Sequence, residues 1–143
     1  MHRILSAGLS YGLIVFGFGF VLGTLRTILL LPYVSPVTAV LIELPFMLII
    51  SWLVARFLVD RRQVPARSGA RVAMGALGFA VLMAGEFLLA AALFGLPPAT
   101  YLAAMLRPDA LPGLAGQLVF AAIPLLLLLR QDRGHSGRDG TQA

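Results

Sequence analysis

Four polar side chains stand inside long apolar stretches of this chain: Arg26 in LRTILL, Glu43 in LIELPF, Glu86 in AGEFLL and Gln117 in AGQLVF. In an apolar setting such groups support a short menu of chemistry. A carboxylate can take up and release a proton, carboxylates can hold a cation, and an arginine can cancel a glutamate in an ion pair. An amide can donate and accept hydrogen bonds beside either.

Other chemistry is thinly represented. The chain has no cysteine, which excludes thiol nucleophiles, cysteine metal ligands and disulfides. His2 is at one end and His135 in the polar tail, so no histidine pair lies in an apolar stretch to hold a haem. Gly17-Phe18-Gly19-Phe20 lies in the middle of an apolar run and lacks the preceding strand that a phosphate-cradling loop requires. Arg107 and Asp109 read as a solvated loop pair. We therefore expect no catalytic residue, no metal and no cofactor, and a protein that is not an enzyme.

The elements that position the four polar groups follow from composition. The 143 residues are 59% hydrophobic and only 12% charged, with a mean hydropathy of +0.94. Soluble domains carry about 25% charged residues, so too little charge is present to coat a water-facing surface, and lipid is the expected solvent. Membrane spans of about 20 residues each are read at 9–31, 37–58, 72–95 and 113–129. The apolar run near the N-terminus is too long for a signal peptide's core and is followed by no small-residue cleavage site, so it reads as a retained first span. Pro32-Tyr33-Val34-Ser35-Pro36 is a tight turn, and residues 60–67 form a polar loop. Residues 99–106 are expected as a short interfacial helix, with Pro97 and Pro98 suited to its first turn. The expected fold class is an all-α membrane protein, four transmembrane helices in an antiparallel bundle. Residues 1–130 form one transmembrane domain and residues 131–143 a disordered tail.

All eleven basic residues are arginine. Arg3, Arg56, Arg61, Arg62, Arg67, Arg71, Arg130, Arg133 and Arg138 fall on one side of this arrangement, and Arg107 alone on the other. The positive-inside rule places the arginine-rich side in the cytoplasm, with both termini, and the chain in a cell inner membrane. The arginines are read as topology determinants and contacts to anionic lipid. They are not interleaved with base-stacking aromatics, so nucleic acid is not an expected partner.

Gly8, Gly12, Gly19, Gly23 and Arg26 recur at spacings of four, seven, four and three, on one face of span 1. Small residues on one face admit a close neighbouring backbone, so this face is expected to pack against another helix, a partner membrane protein or a second copy of the chain. Arg26 lies on that packing face. At 1.5 Å per residue, Arg26 lies ~9 Å below Pro32, Glu43 ~10 Å below Pro36 and Glu86 ~14 Å below Gly95. All three depths are measured from the ends of the spans opposite the arginine-rich side, so the charges share one half of the bilayer. The five-residue turn makes spans 1 and 2 neighbours, and Arg26–Glu43 is the expected pair. Gln117 falls at the same level. One arginine against two carboxylates leaves the cluster at −1 unless Glu86, the deeper, is protonated or a cation completes it.

Pro45 and Pro124 deprive the carbonyls of Leu41 and Phe120 of their helical donors, freeing them as hinges or cation ligands. Trp52 and Tyr101 read as interfacial anchors. Two functions fit these features. The first is a structural or accessory subunit whose buried Arg/Glu cluster sets its fold. The second is a proton- or cation-coupled transporter or channel using Glu43 and Glu86.

Overall fold

The computed structural model of the chain describes residues 1–95 and 97–139, with the backbone alone at 94 and 132–139. It is helical: α1 (His2–Leu25), continued by a π-helical turn over Arg26–Leu30, then α2 (Pro36–Arg62), α3 (Ser68–Phe94), α4 (Pro98–Met105) and α5 (Leu111–Asp139). Four helices are long and apolar enough to cross a membrane, spanning His2–Leu30, Pro36–Arg62, Ser68–Leu93 and Leu111–Gln131. The spans are longer than hydropathy alone indicates, because polar residues at their ends continue the backbone ladder. α5 likewise passes Arg130, so residues 131–139, expected as irregular tail, are helical backbone; the last four tail residues lie outside the described residues.

Local chemistry sets the boundaries. Ser35 caps α2, its hydroxyl accepting from the Thr38 N–H at 3.2 Å, and Pro36 occupies the first helical position. Gln63 ends α2 in the left-handed region, at φ 49°. Gly95 ends α3 at φ 63°, a conformation that a Cβ would penalise. Pro98 then opens α4. The π turn is marked by the Leu31 N–H donating to the Arg26 carbonyl at 3.1 Å, five residues back. It widens span 1 where Arg26 leaves the helix.

α1 packs against α2 and α3, and α5 against the same two helices. The four long helices therefore form a ring in the order α1, α2, α5, α3. Lipid tails are as apolar as leucine, so helices in a membrane associate through close packing rather than by escape from water. Here the close approaches to neighbouring backbone lie in the half of the bundle nearest the arginine-rich loop, whereas farther on Gly85 and Gly116 meet the side chains of Phe16 and Leu44. A Cβ on Gly12 would stand 2.6 Å from Val81 Cβ and 2.7 Å from the Gly78 carbonyl oxygen of α3. A Cβ on Gly75 would collide with the Ala121 carbonyl of α5. Tyr11, Val15, Ala55, Met74, Phe120 and Ile123 fill the space between. Large apolar side chains such as Leu13, Phe46, Leu53, Phe57 and Leu88 point outward, a surface suited to lipid and not to water.

At the loop end, Arg3 Nη1 donates to Gln63 Oε1 at 3.4 Å, tying the start of α1 to the end of α2. The Arg130 guanidinium lies 4.9 Å from the Trp52 ring centroid, so Trp52 anchors α5 to α2. Arg71, one of the arginines on the arginine-rich side, turns inward from the first turn of α3 and is 2% exposed.

Candidate functional site

The half of the bundle beyond the tight glycine contacts opens into a cavity of about 530 Å³. Its polar lining comes from Arg26, Glu43, Glu86 and Gln117, together with the hydroxyl residues Thr24, Thr27 and Ser51. Phe16, Phe20, Met47 and Phe120 are among its apolar walls.

The polar side chains form two groups on these walls. Arg26 Nη1 lies 2.9 Å from Glu43 Oε2. The short connection between α1 and α2 holds the widened end of one span against the early turns of the next, which brings these opposite charges together. Their side chains are 32% and 13% exposed, so the pair faces the cavity rather than being sealed from it. Glu86 has a different shell. Gln117 Nε2 donates to both of its oxygens, at 2.9 and 2.8 Å. The Tyr101 hydroxyl donates to Oε2 at 3.1 Å. Both donors are uncharged. Arg26 and Glu43 act on Glu86 through space, one from each side in sign. The three charges therefore line one cavity as a pair and a separate carboxylate, not as a directly bonded triad.

Tyr101 has a contact that the sequence does not indicate. From α4 its ring stands edge-on to Phe87, with centroids 5.8 Å apart, and its hydroxyl reaches Glu86. Burial first, and then the Glu86 charge, push the Tyr101 phenol up from its ordinary value. The phenol therefore remains a donor across the neutral range.

The glycine face of α1 divides at the cavity floor. Gly8 and Gly12 are buried against α3, where a Cβ on Gly8 would be 2.9 Å from Leu77 Cβ. At this level the face is occupied within the chain, leaving no room for a partner helix. Gly19 and Gly23 line the cavity instead, and a Cβ on Gly19 would meet only Met47 Cε, at 3.4 Å. The same spacing thus serves closure at one level and space at the next.

Phe120 lines the cavity, and Tyr11 packs behind it. Their rings stack with centroids 4.3 Å apart and planes 14° from parallel. The Tyr11 hydroxyl donates to the Phe120 carbonyl at 2.9 Å. Phe120 is four residues before Pro124, whose ring nitrogen carries no hydrogen, so this carbonyl lacks its helical partner. A hydroxyl from the far side of the bundle supplies it. The freed carbonyl is thus engaged in a tie between α1 and α5 and does not stand open to a cation. The signal for Tyr11 was present but faint: it lies on the same face as Ala7, Gly8, Gly12 and Val15, where a ring can reach across the bundle.

Comparison of the chain with protein-family models, with curated proteins and with solved structures finds no match.

Proposed function

We propose that this chain is a small multi-pass inner-membrane protein that works as a proton- or cation-coupled transporter, with Glu43 and Glu86 as the carrying groups and Arg26 as the counter-charge that tunes them. The observation behind this reading is the cavity of about 530 Å³ into which both carboxylates and the arginine project. A polar cluster that served only to hold helices together would be closed and dry, since every unsatisfied polar group in hydrocarbon costs free energy. Here the polar groups line open space.

In the topology that accompanies the reading, both termini and the arginine-rich loop are cytoplasmic and the spans alternate in direction. The cavity then lies in the outer half of the bilayer, the Tyr11–Phe120 stack closes it toward the cytoplasm, and α4 lies along the outer interface. The accessory-subunit reading drew on the glycine face as a docking surface. Occupation of Gly8 and Gly12 by α3 removes half of that support. The proposed role involves no covalent chemistry.

Proton flux into liposomes carrying the purified chain, driven by an imposed pH gradient and followed with an internal dye, tests the proposal. Flux above that of empty vesicles is expected, falling to the empty-vesicle level in the double variant Glu43→Gln/Glu86→Gln. Undiminished flux in that variant, inserted and folded, refutes it.

A further inference from the structure

The shape and charge of the cavity narrow what it can carry. With both carboxylates ionised, Arg26, Glu43 and Glu86 sum to −1. Glu43 is balanced by direct contact with Arg26 at 2.9 Å. The partners of Glu86 are the neutral amide of Gln117 and the neutral phenol of Tyr101. The unbalanced charge is therefore on Glu86. Among the described residues no other charged side chain acts on it: α2 offers Glu43, the turn after α1 offers Arg26, α4 offers Tyr101 and α5 the uncharged Gln117.

A single positive charge completes the site, and the walls select its type. A small inorganic cation surrenders a tightly held water shell and needs several oxygen ligands in return. Among the described residues no group of three or more His, Asp or Glu side chains gathers to provide them. The wall hydroxyls of Thr24, Thr27 and Ser51 are engaged with the Phe20 carbonyl, the Gly23 carbonyl and Tyr11. The remaining walls are mainly aromatic and aliphatic, including Phe16, Phe20, Met47 and Phe120. Aromatic faces and the methionine sulfur favour a diffuse, weakly hydrated cation with apolar substituents. The volume of about 530 Å³ falls within the ~300–1,000 Å³ typical of sites that enclose a whole organic molecule.

We infer that this cavity binds one apolar organic monocation, with Glu86 as its counter-ion, in exchange for one proton. The inference rests on the carrier reading and names its substrate class. In the empty site the proton sits on the Glu86 carboxyl and the cluster is neutral. As the cation enters, that proton leaves to bulk water, the carboxylate pairs with the cation and the cluster is neutral again. The charge buried in the membrane is the same in both states, so the exchange avoids the cost of an uncompensated ion in the bilayer.

Equilibrium binding of tetraphenylphosphonium to the purified full-length chain tests the inference, together with proton release into weakly buffered solution. Saturable binding of one cation per chain is expected, weakening about tenfold per pH unit once Glu86 is mainly protonated. About one proton should be released per cation bound in that acidic range. Glu86→Gln should weaken binding by about 30-fold or more, as loss of a buried counter-charge does. Gly19→Leu provides a control that leaves every ionisable group in place. A Cβ there meets only the flexible end of Met47, so the added side chain starts out in cavity space. It should weaken binding by at least about tenfold, the factor that 1.4 kcal/mol represents. Absence of saturable binding, pH-independent binding, or binding unchanged in folded Glu86→Gln or in Gly19→Leu overturns the inference. Glutamate-dependent proton flux without cation binding overturns this inference alone. Cation binding and proton release without any flux overturn the carrier reading instead.

Discussion

Replacing Tyr11 with Phe removes one oxygen atom and keeps the stacked ring, so it isolates the hydroxyl that reaches the Phe120 carbonyl at 2.9 Å. That carbonyl has no helical donor because Pro124 stands four residues on. Loss of the hydroxyl leaves a buried acceptor unsatisfied at a site where Tyr11 is 0% and Phe120 3% exposed. Orphaning a buried acceptor costs about 1–3 kcal/mol, whereas hydrogen bonds between membrane helices average about 0.6 kcal/mol because the unfolded chain in lipid finds other partners. The expected cost of Tyr11→Phe is therefore about 1–2 kcal/mol, between those bounds. The test of the cause is its dependence on Pro124. Pro124→Ala restores an N–H that can satisfy the Phe120 carbonyl within α5. In that background Tyr11→Phe no longer orphans the Phe120 carbonyl, and only the bond between the hydroxyl and buried Ser51 is lost as before, so its cost should shrink by about 1 kcal/mol. Reversible unfolding in mixed micelles, titrated with denaturing detergent and followed by circular dichroism, measures all four proteins of the cycle. Equal costs of Tyr11→Phe in the two backgrounds would show that the proline and the tyrosine are not coupled through this carbonyl.

Two further outcomes follow from particular contacts. Gly12→Ala should destabilise the bundle by about 1–3 kcal/mol, the range for overpacking, since its Cβ would approach Val81 and the Gly78 carbonyl within 2.7 Å. Gly17→Ala, with nothing within 4 Å, should be neutral or gain up to about 1 kcal/mol from helix propensity; the same unfolding titration compares them. Ultraviolet difference titration near 295 nm, wild type against Tyr101→Phe, should place Tyr101 ionisation above the ordinary phenol value of about 10. Glu86→Gln should move that transition back toward the ordinary value without reaching it, because burial is the larger cause and the Glu86 charge the lesser.

How much of the site was legible can be judged residue by residue. Arg26 and Glu43 could be paired from sequence because a five-residue turn leaves the flanking helix ends no choice of neighbour, and the depth of each follows from the rise of a helix. Gln117 could be placed at the level of Glu86 by the same count. Tyr101 could not. Its role depends on α4 folding back over the end of α3, a direction that two prolines permit but do not specify. Arg71 counts by sequence with the arginine-rich side, next to loop residues; its phase on α3, shared with Gly75, Gly78 and Leu82, turns it inward.

The four spans and the pairing of the first two were settled by the chain itself. Hydropathy and helical rise are local quantities, and a short turn restricts geometry however the rest of the molecule folds. The cavity, the uncharged shell of Glu86 and the Tyr11–Phe120 tie were settled only by tertiary structure. Each depends on the distance between helices far apart in the chain. That distance is set by how closely Gly8, Gly12 and Gly75 let backbones approach at one end and by how far the bundle opens at the other. The glycine repeat of α1 shows the difference most directly. Its regular spacing puts four glycines on one face, but whether each receives a neighbouring helix or leaves space for a ligand depends on the taper of the whole bundle.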